Sequence, residues 1–336
     1  MGYFLHKVEN PDNISRQWNQ LAADYFQTTD FLVHCQQYNY CFQRYYELYS
    51  GTHLLAGACV YSLRLDLGTY AGIKSPVKMN IVGIPASVAS MGLVGNPKMA
   101  RKLLNQVIKL EKGFVLALNL DWKPQNPKFI TGFTLPNLVV SKKFKDFNAY
   151  KNSLRSNYRR RLQQLQSSFG GIRRKESSCK VFGSEHYNQY LQVYNRSDAK
   201  LEQLSLQFFS NLGASFRLVS FYQEEQLLGW HIYLAWQDEL NFFLGGLDYQ
   251  FNHKYNTYFN LINDLLQVHA GLSTSRLILG QTAEEPKLRA GSQIIPKYMT
   301  LYHRSKLIRF VAGKLAPYLE YNFDFKEHHV FNAKGR

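Results

Sequence analysis

The chain has 336 residues, enough for about two domains of ordinary size. Hydrophobic residues make up 45% of it and aromatic residues 15%, which excludes a chain that is disordered over most of its length. The net charge is +16, so we expect an anionic partner. No run approaches the ~20 apolar residues that span a bilayer, and the polar N-terminus lacks a signal-peptide core. The composition therefore predicts a soluble, cytoplasmic protein.

The predicted elements, taken in chain order, form one series that occurs twice. The first series is a helical segment at 15–40, a β-hairpin at 45–63, a helix at 97–112 and a strand at 114–120. The second series is a helical segment at 186–212, a hairpin at 216–236 with a third strand at 240–246, a helix at 255–270 and a strand at 276–279. Alternating apolar residues and polar turns indicate the hairpins. The repeat predicts an α+β fold of two tandem domains, at 1–140 and 141–336.

The first half offers few candidate functional residues. Residues 81–96 are rich in glycine and small residues, which fits either a substrate loop or a tightly packed loop. Asp121 follows a predicted strand and places one polar group at its end. We therefore expect the N-terminal domain to be mainly structural.

A basic segment lies at the centre of the chain. Residues 141–175 carry a net charge of +10, much of it on a predicted helix at 150–166. Arg155 and Arg159 are four residues apart and so share one face of that helix, with Arg160 on a neighbouring face. We expect these arginines to bind a large anionic partner such as tRNA, a phospholipid headgroup or an acyl carrier protein. The alternative is a solvated helix face.

A second basic stretch follows near the C-terminus. Residues 287–309 contain six lysines and arginines and no acidic residue. If this stretch and the central basic segment converge in the fold, they form one continuous positive surface.

Short motifs in the second half resemble the FemAB-like family of tandem GNAT-fold acyltransferases. The motifs are FNAY at 147–150 followed by Leu154, Arg159, Arg160 and Leu162; GGLDY at 245–249; and LGQT at 279–282 followed by Lys287 and Gly291. The resemblance covers roughly residues 45–302. It implies two GNAT-like (acyl-CoA N-acyltransferase-like) domains with mixed sheets flanked by helices. It also implies an enzyme that joins an activated acyl or aminoacyl group to an amine.

The acyl donor stays open at this point. Residues 171–216 have room for a helix but not for the long helical arm with which peptidoglycan-bridge members of the family hold tRNA. The phosphate loop Q/R-x-x-G-x-G/A, on which GNAT enzymes cradle CoA, fits neither 94–96 nor 250–254. The resemblance implies an acyl-CoA, an acyl carrier protein thioester or an aminoacyl-tRNA as donor, an amine as acceptor, and no metal. A non-catalytic nucleic-acid-binding protein is the alternative from another class.

Direct attack of an amine on an acyl group requires proton transfer and polarisation of the carbonyl. No Ser-His-Asp or Cys-His order stands out, and the four cysteines lack CxxC spacing, so we expect buried thiols. The candidate catalytic residues lie in and just after the second meander: His231, Asp248 and Tyr249. His231 fits a groove-facing base or a half-buried histidine, and Asp248 fits a base or a helix cap. A backbone N–H is expected to polarise the carbonyl.

The polar sequence GQTAEEPKLRAG follows a predicted strand directly, and loops in this position often carry binding residues. Gln281 and Thr282 can hydrogen-bond an acceptor. Lys287 and Arg289 can neutralise a carboxylate or phosphate. Tyr258 is expected to line the pocket. We therefore predict a substrate-binding loop with an exposed Lys287, the alternative being an exposed charged loop without a ligand.

Overall fold

The computed structural model describes residues 2–39, 41–68, 73–197 and 200–332. Its strands are β1 (Tyr3–Val8), β2 (Arg44–Ser50), β3 (His53–Gly68), β4 (Ile73–Val82), β5 (Leu93–Gly95), β6 (Phe114–Leu120), β7 (Ile130–Val140), β8 (Arg173–Ser178), β9 (Phe216–Gln223), β10 (Gln226–Trp236), β11 (Glu239–Leu247), β12 (Arg276–Gly280) and β13 (Gln293–Tyr302). Its α-helices are α1 (Trp18–Leu21), α2 (Thr29–Tyr38), α3 (Pro97–Leu110), α4 (Phe147–Ser153), α5 (Ser156–Ser168), α6 (Ser184–Arg196), α7 (Leu206–Ser210), α8 (Tyr249–Tyr255), α9 (Thr257–Leu272), α10 (Glu284–Arg289) and α11 (Lys306–Leu319). No helix in the described ranges is long and apolar enough to cross a bilayer.

The chain divides into two compact units. Unit 1 consists of Met1–Pro136, Leu201–Leu204 and Pro296–Phe323. Unit 2 consists of Asn137–Lys200, Ser205–Ile295 and Asp324–Arg336. Two segments from the second half of the sequence thus belong to unit 1.

The sheet of unit 1 is built around an antiparallel meander. β2 and β3 pair across a tight turn at Gly51 and Thr52, where Gly51 has a left-handed φ of 57°. β3 pairs with β4, and β6 joins the far side of β4 in parallel after α3. β1 extends the meander beyond β2, and the unit 1 part of β13 pairs antiparallel with β6.

α3 covers one face of this sheet. The side chain of Asn96 caps the helix by accepting a hydrogen bond from the Met99 N–H, and Pro97 fills the first helical position. The apolar helix residues that pack on β2, β3 and β6 are Met99, Ala100, Leu103, Leu104, Val107 and Ile108. Their 3.6-residue spacing gives the helix one apolar face, and its burial forms the main core of unit 1.

Unit 2 follows the same path. β9, β10 and β11 form an antiparallel meander, and β12 joins β11 in parallel after α9. β8 extends the meander beyond β9, and the last part of β7 pairs antiparallel with β12. α6 and α9 pack on the meander, and α4 and α5 contact α9. The predicted α+β fold, with one series of elements that occurs twice, is therefore confirmed.

Adjacent residues of β10 point to opposite faces of the unit 2 sheet. On one face, the Trp230 indole donates to the carbonyl oxygen of His186 on α6. On the other face, His231 contacts Asp264 on α9. The meander is thus covered by α6 on one face and by α9 on the other.

Some predicted elements are shorter in the structure than in the sequence analysis. The helical segment at 15–40 is the two short helices α1 and α2, and the segment at 186–212 is α6 and α7, separated by residues of unit 1. The strands β4 and β13 escaped prediction because each contains a proline, which lowers the strand signal. The cysteines, Cys35, Cys41, Cys59 and Cys179, are buried free thiols.

Candidate active site in unit 2

The segment after β12 winds around the ammonium group of a buried lysine. Lys287, on α10, is only 1% exposed, and its Nζ donates to the carbonyl oxygens of Gln281 and Thr282 at 2.7 Å each. β12 ends at Gly280 with a φ of 71°, and Thr282 and Ala283 also have left-handed φ values, of 60° and 48°. Such values are rare for residues other than glycine, above all for a β-branched threonine. This backbone path turns two successive carbonyls toward one point.

The expectation that Lys287 is exposed is therefore wrong. Burial lowers the pKa of Lys287 to about 7, and the nearby Glu284 carboxylate acts in the opposite direction. The two carbonyls occupy two of the three N–H donors, and no further hydrogen-bond acceptor reaches Nζ among the described residues. The ring centroid of Phe242 lies 5.8 Å from Nζ. The Lys287 amine can therefore gain or lose a proton near neutral pH, and it has one donor left.

One of the predicted tyrosines, Tyr258, lies near the Glu284 carboxylate. Burial raises the pKa of Tyr258, and the charges of Glu284 and Tyr249 raise it further. Tyr249 begins α8, and its ring centroid lies 3.8 Å from the guanidinium carbon of Arg196. Glu284 also acts on Lys287. Tyr258 and Lys287 thus both lie near Glu284, in a cluster at the end of β12, and Tyr249 lies near Tyr258.

Asp248 and Arg289 make local contacts at the margins of this cluster. The Asp248 carboxylate caps α8 by accepting a hydrogen bond from the Gln250 N–H at 2.9 Å. Of the two roles considered for Asp248, base or helix cap, the structure shows the cap. Arg289 is exposed and pairs with Glu285, at 2.7 Å between Nη2 and Oε1. An exposed pair of this kind adds little to stability, so Arg289 can exchange its partner for a ligand.

His231 belongs to a hydrogen-bonded network around Asp264. Its side chain is 0% exposed, and Nε2 lies 2.8 Å from Oδ2 of Asp264. The other carboxylate oxygen of Asp264 accepts a hydrogen bond from Nε of Arg174 at 2.7 Å. Arg174 also contacts Glu176, which accepts a hydrogen bond from the Tyr233 hydroxyl. Burial alone would raise the pKa of Asp264, but the bonds from His231 and Arg174 lower it.

This network bears on the interpretation of His231. The imidazole is fully buried and its Nε2 is held by Asp264, so the structure favours the buried alternative over the groove-facing one. No hydrogen bond in the described residues links the network to Lys287. His231 and Asp264 instead fix α9 against β10, and α9 carries Tyr258 in its first turn.

The central basic segment is not one helix. The predicted helix at 150–166 is interrupted between α4 and α5, and Arg155 stands at the cap position between them. Its Nε donates to the Phe331 carbonyl at 3.2 Å. Arg159 is half-buried and donates to the Leu154 carbonyl at 2.9 Å. Arg155 and Arg159 lie one helical turn apart, and both side chains donate to backbone carbonyls. Of the three predicted arginines, Arg160 is exposed and has no such hydrogen bond within the described residues.

An open depression of about 360 Å³ adjoins this interruption. Its lining combines three lysines with amide and hydroxyl groups: Lys142, Lys143, Phe144, Lys145, Ala149, Asn152, Ser153 and Asn332. Asn332 binds the backbone of α4, and Arg155 binds the residue before it, Phe331. The lysines and Arg155 thus give one part of the unit 2 surface a concentrated positive charge.

The second basic stretch does not form a continuous charged surface. Lys287 is buried, and Lys297 is buried in unit 1 with its Nζ 2.6 Å from Oδ1 of Asp121. Arg304 donates to the carbonyls at the end of α3, and Arg309 donates to the carbonyl of Arg304. Asp121 was noted in the sequence as a polar group at the end of a strand. In the structure its carboxylate pairs with Lys297.

The loop within residues 81–96 is packed into unit 1. Ile84, Ala86 and Val88 are buried. The Ser87 N–H donates to Oε1 of Glu202 at 2.6 Å, and burial raises the pKa of Glu202 to about 7. The tightly packed alternative therefore describes this loop.

Two features of the site were missed by sequence reasoning. Asp264 is an acidic residue inside the apolar run LINDLLQVHA, a signal for a buried and partnered carboxylate. The burial of Lys287 had no comparable signal, since its sequence neighbours are polar. No group of three or more His, Cys, Asp or Glu side chains in the described ranges could hold a metal ion.

Comparison with solved structures supports the fold assignment. The crystal structure of FemX matches over 93% of this chain and 100% of its own, with a TM-score of 0.55 and 8% identity. The C-terminal domain of a putative lysylphosphatidylglycerol synthetase from Agrobacterium fabrum has a TM-score of 0.46 and 9% identity, covering 76% of this chain and 84% of its own. A GCN5-related N-acetyltransferase from Anabaena variabilis has a TM-score of 0.43 and 10% identity, covering 89% of this chain and 72% of its own. A scan against family models gave no match, and neither did a search of curated proteins.

Of these three structures, FemX has a TM-score above 0.5 and the other two have TM-scores below it. The match to FemX covers 93% of this chain, so the two proteins share a fold over that length. The FemAB-like resemblance seen in the sequence motifs is thus confirmed at the level of fold.

Proposed function

We propose that this protein is an N-acyltransferase in which unit 2 holds the active site and Lys287 transfers the proton that the reaction needs. The observation that carries the proposal is the buried Lys287 ammonium at the end of β12, in a fold shared with FemX. A fold by itself does not define an activity, so the proposal depends on this group. A lysine whose pKa is about 7 is a far stronger acid than a solvated lysine.

In the proposed reaction the acceptor amine attacks the acyl carbon directly. A C–N bond forms, and the C–S or C–O bond to the carrier breaks. The leaving thiolate or alkoxide takes a proton from the Lys287 ammonium, and the attacking nitrogen loses a proton that returns to Lys287 through water. A backbone N–H polarises the carbonyl, as expected from the sequence.

The other site residues bind and position in this proposal. Tyr249, Tyr258 and Arg289 contact the acceptor. Gln281 and Thr282 act through their backbone carbonyls, which hold the Lys287 ammonium. His231 positions α9, and Asp248 positions α8.

The lysine-lined depression is the proposed site of the donor's anionic carrier. Lys142, Lys143 and Lys145 line it, and Arg155 and Arg160 lie on the adjoining segment. The pyrophosphate of CoA, the phosphopantetheine of an acyl carrier protein and the backbone of tRNA are all anionic. All three donors are compatible with this charge.

The first experiment identifies the donor. Thermal-shift titrations compare acyl-CoAs, acyl carrier protein thioesters and aminoacyl-tRNAs, and mass spectrometry follows transfer to a panel of amines. With that donor, Lys287→Ala should lower kcat about 10²–10⁴-fold. Lys180→Ala, which removes an exposed lysine of unit 2, is the matched control and should leave kcat unchanged.

A pH profile tests the role of the ammonium. Because the protonated form of Lys287 acts as the acid, kcat of the wild type should fall as pH rises through about 7. Unchanged turnover in Lys287→Ala would refute the assigned role. Tight binding of nucleic acid without transfer to any amine would favour the nucleic-acid-binding alternative.

A further inference from the structure

Helix α11 in unit 1 has the reverse of the usual amphipathic arrangement. Its small or medium residues Ile308, Ala312 and Ala316 are partly buried. Its large apolar residues point outward: Leu307 is 72% exposed and Phe310 is 65% exposed. A helix that only completed a core would show the opposite pattern.

The outward residues form one stripe. Leu307, Phe310, Val311 and Leu315 lie at helix positions i, i+3, i+4 and i+8, and all four are more than half exposed. Lys314 falls within the same stripe, and a lysine can lay its aliphatic stem along apolar surface while its ammonium stays at the edge. Exposed apolar residues are normal when scattered, but a contiguous stripe indicates an interaction surface.

The C-terminal end of α3 extends this surface. Nη2 of Arg304, just before α11, donates to the carbonyl oxygens of Lys109 and Leu110 at 2.8 and 3.3 Å. Leu110 is itself an exposed apolar side chain. Phe42, also exposed, is tied to the same helix end, because Arg44 binds both its carbonyl and Glu111.

The rim of this surface is cationic. The exposed lysines and arginine around the stripe are Lys109, Lys112, Arg304, Lys306 and Lys314. Glu111, an acidic residue in their midst, is buried against Arg44 and does not offset them at the surface. We name these basic residues together with Leu110, Leu307, Phe310, Val311 and Leu315 the α11 face.

We propose that the α11 face docks the protein on the surface of an anionic phospholipid bilayer. An amphipathic helix that lies in the plane of a bilayer places its apolar side chains at the headgroup boundary and its lysines and arginines against the headgroups. Each basic residue near an anionic surface adds a favourable electrostatic contribution to binding. The α11 face supplies both parts, and this inference is independent of the acyl-transfer proposal.

The charge of the α11 face argues against a second copy of this chain as the occupant. A twofold interface would bring the same surface of two molecules together. The five basic side chains of one copy would then face those of the other, and such like-charge contacts oppose association. An anionic bilayer instead complements the charge and accepts the apolar stripe at the same time.

Vesicle flotation of the full-length protein tests the proposal. The protein is expected to float with vesicles of phosphatidylcholine mixed with phosphatidylglycerol, and much less with vesicles of phosphatidylcholine alone. Combining Leu307→Ser with Phe310→Ser should weaken binding to the anionic vesicles by about tenfold or more, because two apolar side chains no longer enter the boundary. The matched control combines Val181→Ser with Leu272→Ser, which removes two exposed apolar residues of unit 2.

The charge contribution is tested separately. Lys306→Glu combined with Lys314→Glu should also weaken binding to anionic vesicles, whereas Lys180→Glu should have little effect. A tryptophan introduced by Phe310→Trp should be quenched by brominated lipid in anionic vesicles. Circular dichroism confirms that each variant is folded, as expected for changes at exposed positions.

Three outcomes would overturn the proposal. The first is no flotation with anionic vesicles. The second is equal binding of the Leu307/Phe310 variant and its unit 2 control. The third is a dimer, seen by light scattering without lipid, that the Leu307/Phe310 variant abolishes, since the face would then join two copies of the chain.

Discussion

Replacing Lys287 with methionine tests whether its amine is neutral in the folded protein near pH 7. Burial lowers the pKa of Lys287 from 10.5 to about 7, so the unfolded chain binds a proton that the folded chain releases in this range. The stability of the wild type should therefore rise with pH between about 7 and 10.5. The buried amine costs about 4 kcal/mol of folding free energy at pH 7 and about 2 kcal/mol at pH 9. The variant carries neither cost.

Lys287→Met also removes the hydrogen-bond donor of two backbone carbonyls. This loss changes the absolute stability of the variant but not the pH dependence of that stability. Loss of their partner costs the variant about 1–3 kcal/mol per carbonyl at any pH. The test is therefore the change, between pH 7 and pH 9, in the difference between the two unfolding free energies. Between pH 7 and pH 9, we expect the unfolding free energy of the wild type to increase by about 2 kcal/mol relative to that of Lys287→Met.

Urea unfolding followed by far-ultraviolet circular dichroism at several pH values gives this difference. Lys180→Met, at an exposed position of unit 2, should run parallel to the wild type throughout. Parallel curves for the wild type and Lys287→Met would show that the Lys287 amine titrates as in water. Its proposed role as the acid would then lose its physical basis.

Three further predictions concern buried groups. Asp264→Ala should cost about 3–5 kcal/mol at neutral pH in urea unfolding, because Arg174 and the buried His231 lose their partner, and the cost should shrink as pH falls through the lowered pKa of Asp264. Burial raises the pKa of Glu202, so its ionisation destabilises the folded state. As pH rises from 4.5 to above 7, the unfolding free energy of Glu202→Gln should therefore increase by up to about 3 kcal/mol relative to the wild type. Equal pH dependence of the two unfolding free energies would contradict this. Gly57→Ala should lower the melting temperature, at a cost of about 1–3 kcal/mol, because a Cβ there overlaps the Trp18 ring, and an unchanged melting temperature would show that the ring can move.

The repeated series of elements could be predicted from the sequence because its signals are local. Alternation marks the strands of both hairpins, and the Asn96 cap followed by proline and apolar residues at helical spacing marks α3. These patterns depend only on which residues are near in sequence. β6 pairs in parallel with β4, and β12 pairs in parallel with β11. Both pairings follow from the succession of a strand, a helix and a second strand along the chain.

The division of the chain into units depended on distant contacts. Leu201–Leu204 and Pro296–Phe323 belong to unit 1 although they follow elements of unit 2 in sequence. Nothing in the sequence near Glu202 indicates that its carboxylate accepts the N–H of Ser87. Contacts between residues so far apart leave no periodic pattern along the chain.

The site shows the same distinction. The sequence by itself indicated the segment after β12, the tyrosines near α8 and α9, and the central basic residues as the chemically rich regions. Only the tertiary structure decided which of these side chains are accessible. The sequence predicted an exposed Lys287, but the structure buries its amine because two left-handed residues turn backbone carbonyls toward it. His231 is enclosed because α9 places Asp264 against β10. Burial and pKa depend on the surroundings in space, which residue types and spacing along one chain do not specify.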